Sequence, residues 1–168
     1  MTRRIHPIVA LLAVLVLASR LGFWLNRHPE PDLSISGVKP GMTEPEVEAL
    51  LGERVSEEQL PDDARLCAFQ DNTGGLLGVY FDQRGLVTGA FGRLCVDGQT
   101  VKATGEDLRL IARQLEPRLG PPDGQRGGSE LFAIRYTRYR LLLAQNTVDW
   151  SACLGCDDDG YEYEPFQW

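Results

Sequence analysis

One order of elements occurs twice in this chain, and it constrains the fold more than any single motif does. In the first half, an amphipathic helix is predicted over Glu44–Leu51, and it stops at Gly52, a residue type that tolerates the left-handed conformation at a helix end. Strand-like runs follow it in three places, Leu66–Phe69, Leu76–Phe81 and Leu86–Phe91. The sequence Asp82-Gln83-Arg84-Gly85 is typical of a hairpin loop between the last two.

The second half follows the same plan. A helix start at Thr104-Gly105-Glu106-Asp107 precedes an apolar face at helical spacing, formed by Leu108, Ile111, Ala112, Leu115 and Leu119. A glycine-rich loop over Asp123–Ser129 comes next, and three strands are predicted near Leu131–Thr137, Tyr139–Gln145 and Val148–Cys153. The sequence therefore predicts an α+β fold, with an N-terminal signal-anchor helix followed by two helix-then-antiparallel-sheet repeats over residues 33–98 and 99–156.

The first helix begins with a capping sequence. Thr43 is followed three residues later by Glu46, so the Thr43 hydroxyl is predicted to cap the Glu46 amide while Glu46 reaches back to the Thr43 amide. Pro45 falls in the first turn, where its missing N–H costs nothing.

The first 27 residues have the order of an export or membrane-anchoring segment. Arg3 and Arg4 precede a mostly apolar run over residues 5–25, a length that spans a bilayer. Basic residues ahead of such a run hold the amino end inside, so we expect the rest of the chain to be extracytoplasmic, either periplasmic or extracellular. An uncleaved membrane anchor is the favoured form, and secretion after cleavage near Ala18 is the alternative. A Pro-rich linker over residues 28–32 follows.

The charge of the predicted exported part argues against nucleic acid as a partner. Four of the 17 Lys and Arg residues lie in the N-terminal segment, whereas all 24 Asp and Glu residues lie beyond it. The remainder carries 13 basic and 24 acidic residues, a formal charge of −11. Phosphate backbones are bound mainly through clustered Lys and Arg, so no nucleic acid partner is expected.

The four cysteines, Cys67, Cys95, Cys153 and Cys156, all lie in the predicted exported part, where disulfides form and persist. Four cysteines allow three pairings, and we expect Cys67 with Cys95 and Cys153 with Cys156. A four-thiolate zinc site is an alternative, although it usually needs two close cysteine pairs and only one is close. A thioredoxin-like redox motif is a second alternative. A thioredoxin-like CxxC stands at the start of a helix, whereas Cys153-Leu154-Gly155-Cys156 is followed by acidic residues.

Catalytic and cofactor chemistry has little support in the sequence. Both histidines, His6 and His28, lie in the N-terminal segment or the linker, so the folded part lacks the commonest general base and the commonest nitrogen ligand of metals. The run Asp157-Asp158-Asp159-Gly160 does not fit the spacing of an EF-hand loop. We expect no enzymatic activity, no cofactor and no metal site.

The residues around the first helix start resemble a known family. Gly41-Met42-Thr43, Glu46-Val47 and Leu50-Leu51-Gly52 closely resemble the GMTxxEVxxLLG signature of small outer-membrane-assembly lipoproteins, the SmpA/OmlA (BamE-like) family. The doubled helix-then-sheet plan is similar to the β-lactamase-inhibitor-protein fold. The resemblance implies a bacterial cell-envelope protein that binds proteins, and it gives Gly41, Met42, Thr43, Glu46 and Gly52 the role of a helix-start fold motif. The lipoproteins carry a cysteine at the signal cleavage site, whereas the first cysteine here is Cys67, so lipid anchoring is not implied.

Aromatic and basic residues of the second-half strands indicate a binding surface. Alternate positions on an uncovered sheet face are predicted to form an aromatic platform rimmed by arginines. Its aromatic residues are drawn from Phe132, Tyr136, Tyr139 and Trp150 in the second half and from Tyr80 and Phe91 in the first. The candidate protein-binding residues are Tyr136, Tyr139, Trp150, Arg135, Arg138 and Arg140. The alternative is that these aromatic residues belong to the core. The acidic and aromatic tail, residues 157–168, is predicted either to dock as a strand or to stay free.

Three functions are compatible with these features. The favoured one is a non-enzymatic, membrane-tethered extracytoplasmic domain that binds a protein partner in the cell envelope or acts as an envelope scaffold. The second is an inhibitor of a secreted enzyme, of the β-lactamase-inhibitor-protein type. The third is a thiol redox or metal-handling protein that uses Cys153 and Cys156.

Overall fold

Two helices and eleven strands are found in the part of the chain that the structure describes. The structure is a computed structural model, and it describes residues 29–102, 107–127, 132–145, 150–156 and 164–166. Helix α1 spans Glu44–Leu51 and helix α2 spans Leu108–Leu119. The strands are β1 Leu33–Ile35, β2 Ser56–Gln59, β3 Arg65–Gln70, β4 Leu76–Phe81, β5 Val87–Gly92, β6 Leu94–Val96, β7 Gln99–Thr100, β8 Gly124–Arg126, β9 Phe132–Tyr136, β10 Leu141–Gln145 and β11 Trp150–Leu154.

Helix α1 begins and ends where its local signals predict. The Glu46 carboxylate accepts hydrogen bonds from the backbone N–H and the hydroxyl of Thr43, both at 2.7 Å. At the other end Gly52 has a φ of +90°, and its N–H donates to the Glu48 carbonyl at 2.8 Å. The predicted bounds of this helix are confirmed because both signals act within a few residues.

Helix α2 buries the apolar face that its spacing predicts. Its buried residues are Leu108, Ile111, Ala112, Leu115 and Leu119, the five expected on one face. Asp107 precedes the helix, and its side chain accepts a hydrogen bond from the Arg109 N–H at 2.9 Å. The predicted start residues 104–106 lie outside the described residues.

The strands form two antiparallel sheets. The larger has eight strands in the order β2-β3-β4-β5-β11-β10-β9-β8, and the smaller has three in the order β1-β6-β7. Strand β5 from the first half pairs with β11 from the second half, so a single sheet runs through both halves. Helix α2 packs on β9 and β10.

The predicted fold class is wrong. Where an α+β fold of a signal-anchor helix and two helix-then-sheet repeats was expected, the described residues are mostly antiparallel sheet, with helices of only 8 and 12 residues. Strand β8 lies within the predicted glycine-rich loop, β2 forms where no strand was predicted, and β1, β6 and β7 form a second sheet. Short polar strands pair through their backbones, so their side chains carry little of the alternation from which strands are predicted.

The predicted N-terminal anchor helix, within residues 1–27, lies outside the described residues. Within the residues that are described, no helix is long and apolar enough to cross a membrane.

Candidate functional site

The eight-stranded sheet has one covered face, and the strand register shows which residues lie on it. One row in register runs across six strands through Cys67, Val79, Ala90, Leu154, Leu141 and Tyr136. Every residue of this row is buried, and none is more than 4% exposed. Because successive residues of a strand point to opposite faces, the row displaced by one residue faces away from this core.

That displaced row crosses all eight strands, through Ser56, Ala68, Gly78, Phe91, Cys153, Leu142, Arg135 and Gly124. Its middle is apolar and partly open: Phe91 is 37% exposed, and Ala68 and Leu142 are half-buried. The paired residues Leu66 and Tyr80 lie on the same face and are also half-buried. We call Leu66, Ala68, Tyr80, Phe91 and Leu142 the open-face patch.

Phe91 is the centre of the open-face patch, and a glycine holds its ring flat against the sheet. A Cβ atom on Gly78 would lie 2.0 Å from the Phe91 ring, so the ring occupies the space above the glycine backbone. The Tyr80 ring lies beside it, with ring centroids 6.0 Å apart and planes inclined at 51°. A glycine opposite an aromatic residue on a neighbouring strand is a known means of packing such a position, and it fixes the ring without burying it.

The CxxC turn lies at the edge of the open-face patch. Cys153 and Cys156 form a disulfide with their Cα atoms 5.8 Å apart, and Cys153 pairs with Phe91 across the strands. The backbone of Gly155 sits tightly on β5, because a Cβ atom there would lie 2.3 Å from the Thr88 carbonyl oxygen. A cleft of about 250 Å³ opens beside the turn, lined by Ala64, Tyr80, Thr88, Gly89, Gly155 and Cys156.

Charges of opposite sign lie at the two ends of this face. Glu58 on β2 is exposed and pairs with Leu66, which places it at the first-half end. Arg135 on β9 lies in the same row as Leu142, with its Nε atom 3.7 Å from the Asp123 carboxylate. The face therefore has an acidic residue at one end, an apolar middle, and an arginine paired with an aspartate at the other end.

An ion cluster on the covered side joins α1 to strands β2 and β3. Arg65 donates to both oxygens of Glu44, at 2.7 and 3.2 Å, and Arg54 lies 2.7 Å from the same carboxylate and 2.6 Å from Glu57. The Arg65 hydrogen bonds hold the pKa of Glu44 below its ordinary value, against the opposing effect of burial. The neighbouring Cys67 thiol has a raised pKa because it is buried. These groups fix the helix on the sheet, and a cleft of about 440 Å³ opens beside them, lined by Glu48, Gly52, Glu53 and Arg54.

The predicted binding residues do not lie on one surface. Tyr136 is 1% exposed and belongs to the core row, which is the alternative that the sequence left open for it. Arg135, its neighbour in sequence, lies on the open face, as the alternation of a strand requires. Tyr139 and Trp150 are half-buried and pack against the core, and Arg138 lies 5.4 Å from the Tyr139 ring.

Arg140 has a structural role at the CxxC turn. Its guanidinium donates to the Gly155 carbonyl at 2.8 Å, and the Gly155 N–H donates to the Arg140 carbonyl at the same distance. Sequence reasoning selected it for its charge. The fold-motif residues Gly41, Met42, Thr43, Glu46 and Gly52 likewise form the start and end of α1 and contribute nothing to the open face.

Of the two predicted cysteine pairs, one is present. The Cys153–Cys156 pairing is confirmed, whereas the predicted pairing of Cys67 with Cys95 is wrong, since both are free thiols. Cys67 lies in β3 and is fully buried, and Cys95 lies in β6, which belongs to the smaller sheet. Their strands are not neighbours in either sheet.

Leu66, Ala68 and Leu142 are the patch residues that sequence reasoning missed. Each lies one residue from a buried position in its strand, and this alternation is the signal that identifies them once the core row is known. Among the described residues there is no group of three or more His, Cys, Asp and Glu side chains that could hold a metal. The acidic run at residues 157–160 lies outside the described part.

Comparison of this chain with known protein families, with curated proteins and with solved structures finds no match.

Proposed function

We propose that this chain is a non-enzymatic, extracytoplasmic protein-binding domain of the cell envelope, tethered to a membrane through residues 5–25. The observation that carries the proposal is the open-face patch, an uncovered apolar area at the centre of an eight-stranded sheet. The resemblance of residues 41–52 to the SmpA/OmlA signature supports the envelope location, and the basic-then-apolar N-terminal segment supports the tether.

The patch has the properties of a preorganised contact surface. Contiguous exposed apolar area bordered by polar residues marks interaction sites on soluble domains. Here the aromatic centre, Phe91, is held in place by Gly78 and Tyr80, so little side-chain freedom is lost when a partner binds. Aromatic residues in such central positions contribute most of the binding energy at protein interfaces.

The charges at the ends of the face define the partner further. A protein that places an apolar surface over Phe91 meets Glu58 at one end and Arg135 at the other. Arg135 is already paired with Asp123, whereas Glu58 is exposed. The partner is therefore a protein with an apolar patch that has a basic group on the side that meets Glu58.

Replacement of the patch residues tests this function. The full chain and a Phe91→Ala, Leu142→Ala variant are used to capture proteins from an envelope extract of the source organism, and each captured protein is then purified and its affinity for both forms measured. We expect the affinity to fall by about 30-fold or more, because removal of a central anchor costs about 2 kcal/mol or more. The matched control is Leu110→Ala, an exposed leucine on α2.

Two outcomes discriminate the proposal from its competitors. Equal affinity of the captured partner for the wild type and the patch variant rejects the open face as the binding surface. If the partner is a secreted enzyme that the wild type inhibits at equimolar concentration and the patch variant does not, the chain is an inhibitor that uses the same face.

A further inference from the structure

The last described residues of the chain lie along the edge of the eight-stranded sheet. Glu164 pairs with Gln125 of β8: the Gln125 N–H donates to the Glu164 carbonyl at 2.8 Å, and the Glu164 N–H donates to the Gln125 carbonyl at 2.9 Å. In an antiparallel pair, alternate residues turn both backbone groups to the same neighbour. Gln125 is thus the residue at which β8 accepts another strand.

The Phe166 ring, two residues after Glu164, anchors the C-terminal segment. Phe166 lies two residues after Glu164, so it points to the same side of the strand, and it packs against the hydrophobic core. Pro165 between them has no N–H, so the outer edge of the segment lacks a donor at that position. In this state the β8 edge is occupied at Gln125.

The C-terminal segment leaves one polar atom of Gln125 without a hydrogen bond. The Gln125 side chain is only 9% exposed, and its Oε1 atom has no hydrogen-bond partner among the described residues. Residues directly opposite each other in an antiparallel pair carry their side chains on the same face, so Glu164 is the residue that faces it. A carboxylate accepts hydrogen bonds and cannot donate one, so it leaves this oxygen without a donor.

Among residues 164–166, the pairing with β8 is the bridge between Glu164 and Gln125, and three register pairs on the other side of β8 join it to β9. Exchange of this segment for another extended segment therefore breaks none of the pairs that hold β8 in the sheet.

We propose that the β8 edge is a second binding site, separate from the open-face patch, for an extended peptide segment of a protein partner. The partner segment pairs its backbone with Gln125, carries a donor side chain at the pairing position, and places an aromatic residue two positions later where Phe166 now lies. The C-terminal segment of the chain occupies the site until the partner displaces it. Addition of an extended peptide to an exposed sheet edge is a recurring mode of recognition.

Labelled peptides measure this site directly. The probes are a fluorescein-labelled nonapeptide with the sequence of residues 160–168, Gly-Tyr-Glu-Tyr-Glu-Pro-Phe-Gln-Trp, and the same peptide with Gln in the place of Glu164. Each is titrated against the full-length chain and against its Glu164→Pro variant, in which the backbone donor to Gln125 is removed. Fluorescence anisotropy gives the affinity, and thermal denaturation establishes that both proteins are folded.

We expect both peptides to bind the Glu164→Pro variant at least about tenfold more tightly than the wild type, because a tethered competitor has an effective concentration in the millimolar range. We also expect the Gln peptide to bind more tightly than the Glu peptide to either protein. A third peptide, with Ala in the place of Phe166, is expected to lose most of its affinity.

The proposal is overturned if the wild type and the Glu164→Pro variant bind the peptides equally, or if the variant is folded and binds neither. Equal affinities of the Gln and Glu peptides overturn the assignment of the donor side chain. Phe91→Ala serves as the control for the open-face patch: it is expected to leave peptide binding unchanged, so failure at the edge and failure of the proposed function are distinguishable.

Discussion

Gly155 occupies a position where a side chain meets both backbone strain and a steric clash. Its φ is +77°, and a Cβ atom would lie 2.3 Å from the Thr88 carbonyl oxygen. Gly98 has a similar φ of +75° but no atom within 4 Å of a Cβ position. We expect Gly98→Ala to reduce the free energy of unfolding by about 1 kcal/mol through strain alone, and Gly155→Ala to reduce it by about 3 kcal/mol or more.

Chemical denaturation measures the free energy of unfolding of the two variants. Gly98→Ala introduces backbone strain alone, whereas Gly155→Ala introduces strain and a steric clash. Because the two glycines have nearly the same φ, the difference between the variants reports the steric contacts of Gly155, which are with Thr88 and Gly89 of β5 and with Pro40. Equal losses would mean that the CxxC turn is not packed on that strand as described.

The carboxylate of Glu44 makes the stability of the domain depend on pH. Hydrogen bonds from Arg65 lower its pKa from the ordinary 4.5, so the stabilisation is present above that pH and is lost as the pH falls through the lowered value. We expect Glu44→Gln to cost about 1–2 kcal/mol at pH 7, the range of a charge-assisted hydrogen bond that is partly exposed to solvent. At pH 3 the difference from the wild type is expected to shrink.

The measurement is urea denaturation of both proteins at pH 7 and at pH 3. Glu53→Gln is the matched control, because Glu53 is an exposed glutamate just beyond the other end of α1, and it is expected to change stability by less than about 0.5 kcal/mol. A loss on Glu44→Gln that is the same at both pH values would contradict the ion-pair explanation.

At the scale of the elements, two adjacent residues of strand β10 lie on opposite faces of the sheet, so their replacement tests which face is covered. Leu143 is fully buried on the core side, whereas Leu142 is half-buried in the open-face patch. We expect Leu143→Ala to cost about 2–5 kcal/mol and Leu142→Ala less than about 1 kcal/mol, as measured by thermal denaturation. Similar losses for both would show that the face of Leu142 is covered in the folded protein.

The reactivity of the cysteine thiols tests the burial of β3, the exposure of β6 and the disulfide at the end of β11. Cys95 is half-exposed in β6, Cys67 is fully buried in β3, and Cys153 and Cys156 are joined at the end of β11. We expect one thiol to react with a maleimide in the folded chain, two in denaturant, and four in denaturant with reductant. Mass spectrometry of the labelled peptides assigns the sites, and four reactive thiols without reductant would rule out the disulfide.

Local sequence signals predict the helices and the longer strands, and they do so because each signal acts within a few residues. The Thr43–Glu46 cap, the Gly52 stop and the apolar spacing of α2 all define elements that are present. Strands β2 and β8 were missed because they are short and largely polar, and form by backbone pairing with a neighbour. The candidate site was missed in part for a similar reason: the face on which Tyr136 or Leu142 lies depends on register with distant strands.

At the scale of the whole molecule, the joining of β5 to β11 could not be predicted from local patterns. Three register pairs, Ala152↔Gly92, Cys153↔Phe91 and Leu154↔Ala90, bring residues about 60 positions apart into one sheet. Gly89 and Gly155 allow this approach, because a Cβ atom on either would lie within 3.3 Å of backbone atoms across the junction. The junction also places Cys153 beside Phe91, and so completes the open-face patch.

Because one sheet passes through both halves, we expect residues 31–168 to unfold in one cooperative transition. Leu154 lies at the junction and is 4% exposed, so Leu154→Ala is expected to cost about 2–5 kcal/mol. Amides that exchange only through global unfolding report the same free energy. We therefore expect the hydrogen-exchange protection of β3–β4 and of β9–β10 to fall by the same amount, although Leu154 belongs to neither strand pair. Leu110→Ala, an exposed position on α2, is the control. If protection falls in β9–β10 while β3–β4 keeps its wild-type value, the halves unfold independently, and the junction is a contact between two domains rather than the centre of one sheet.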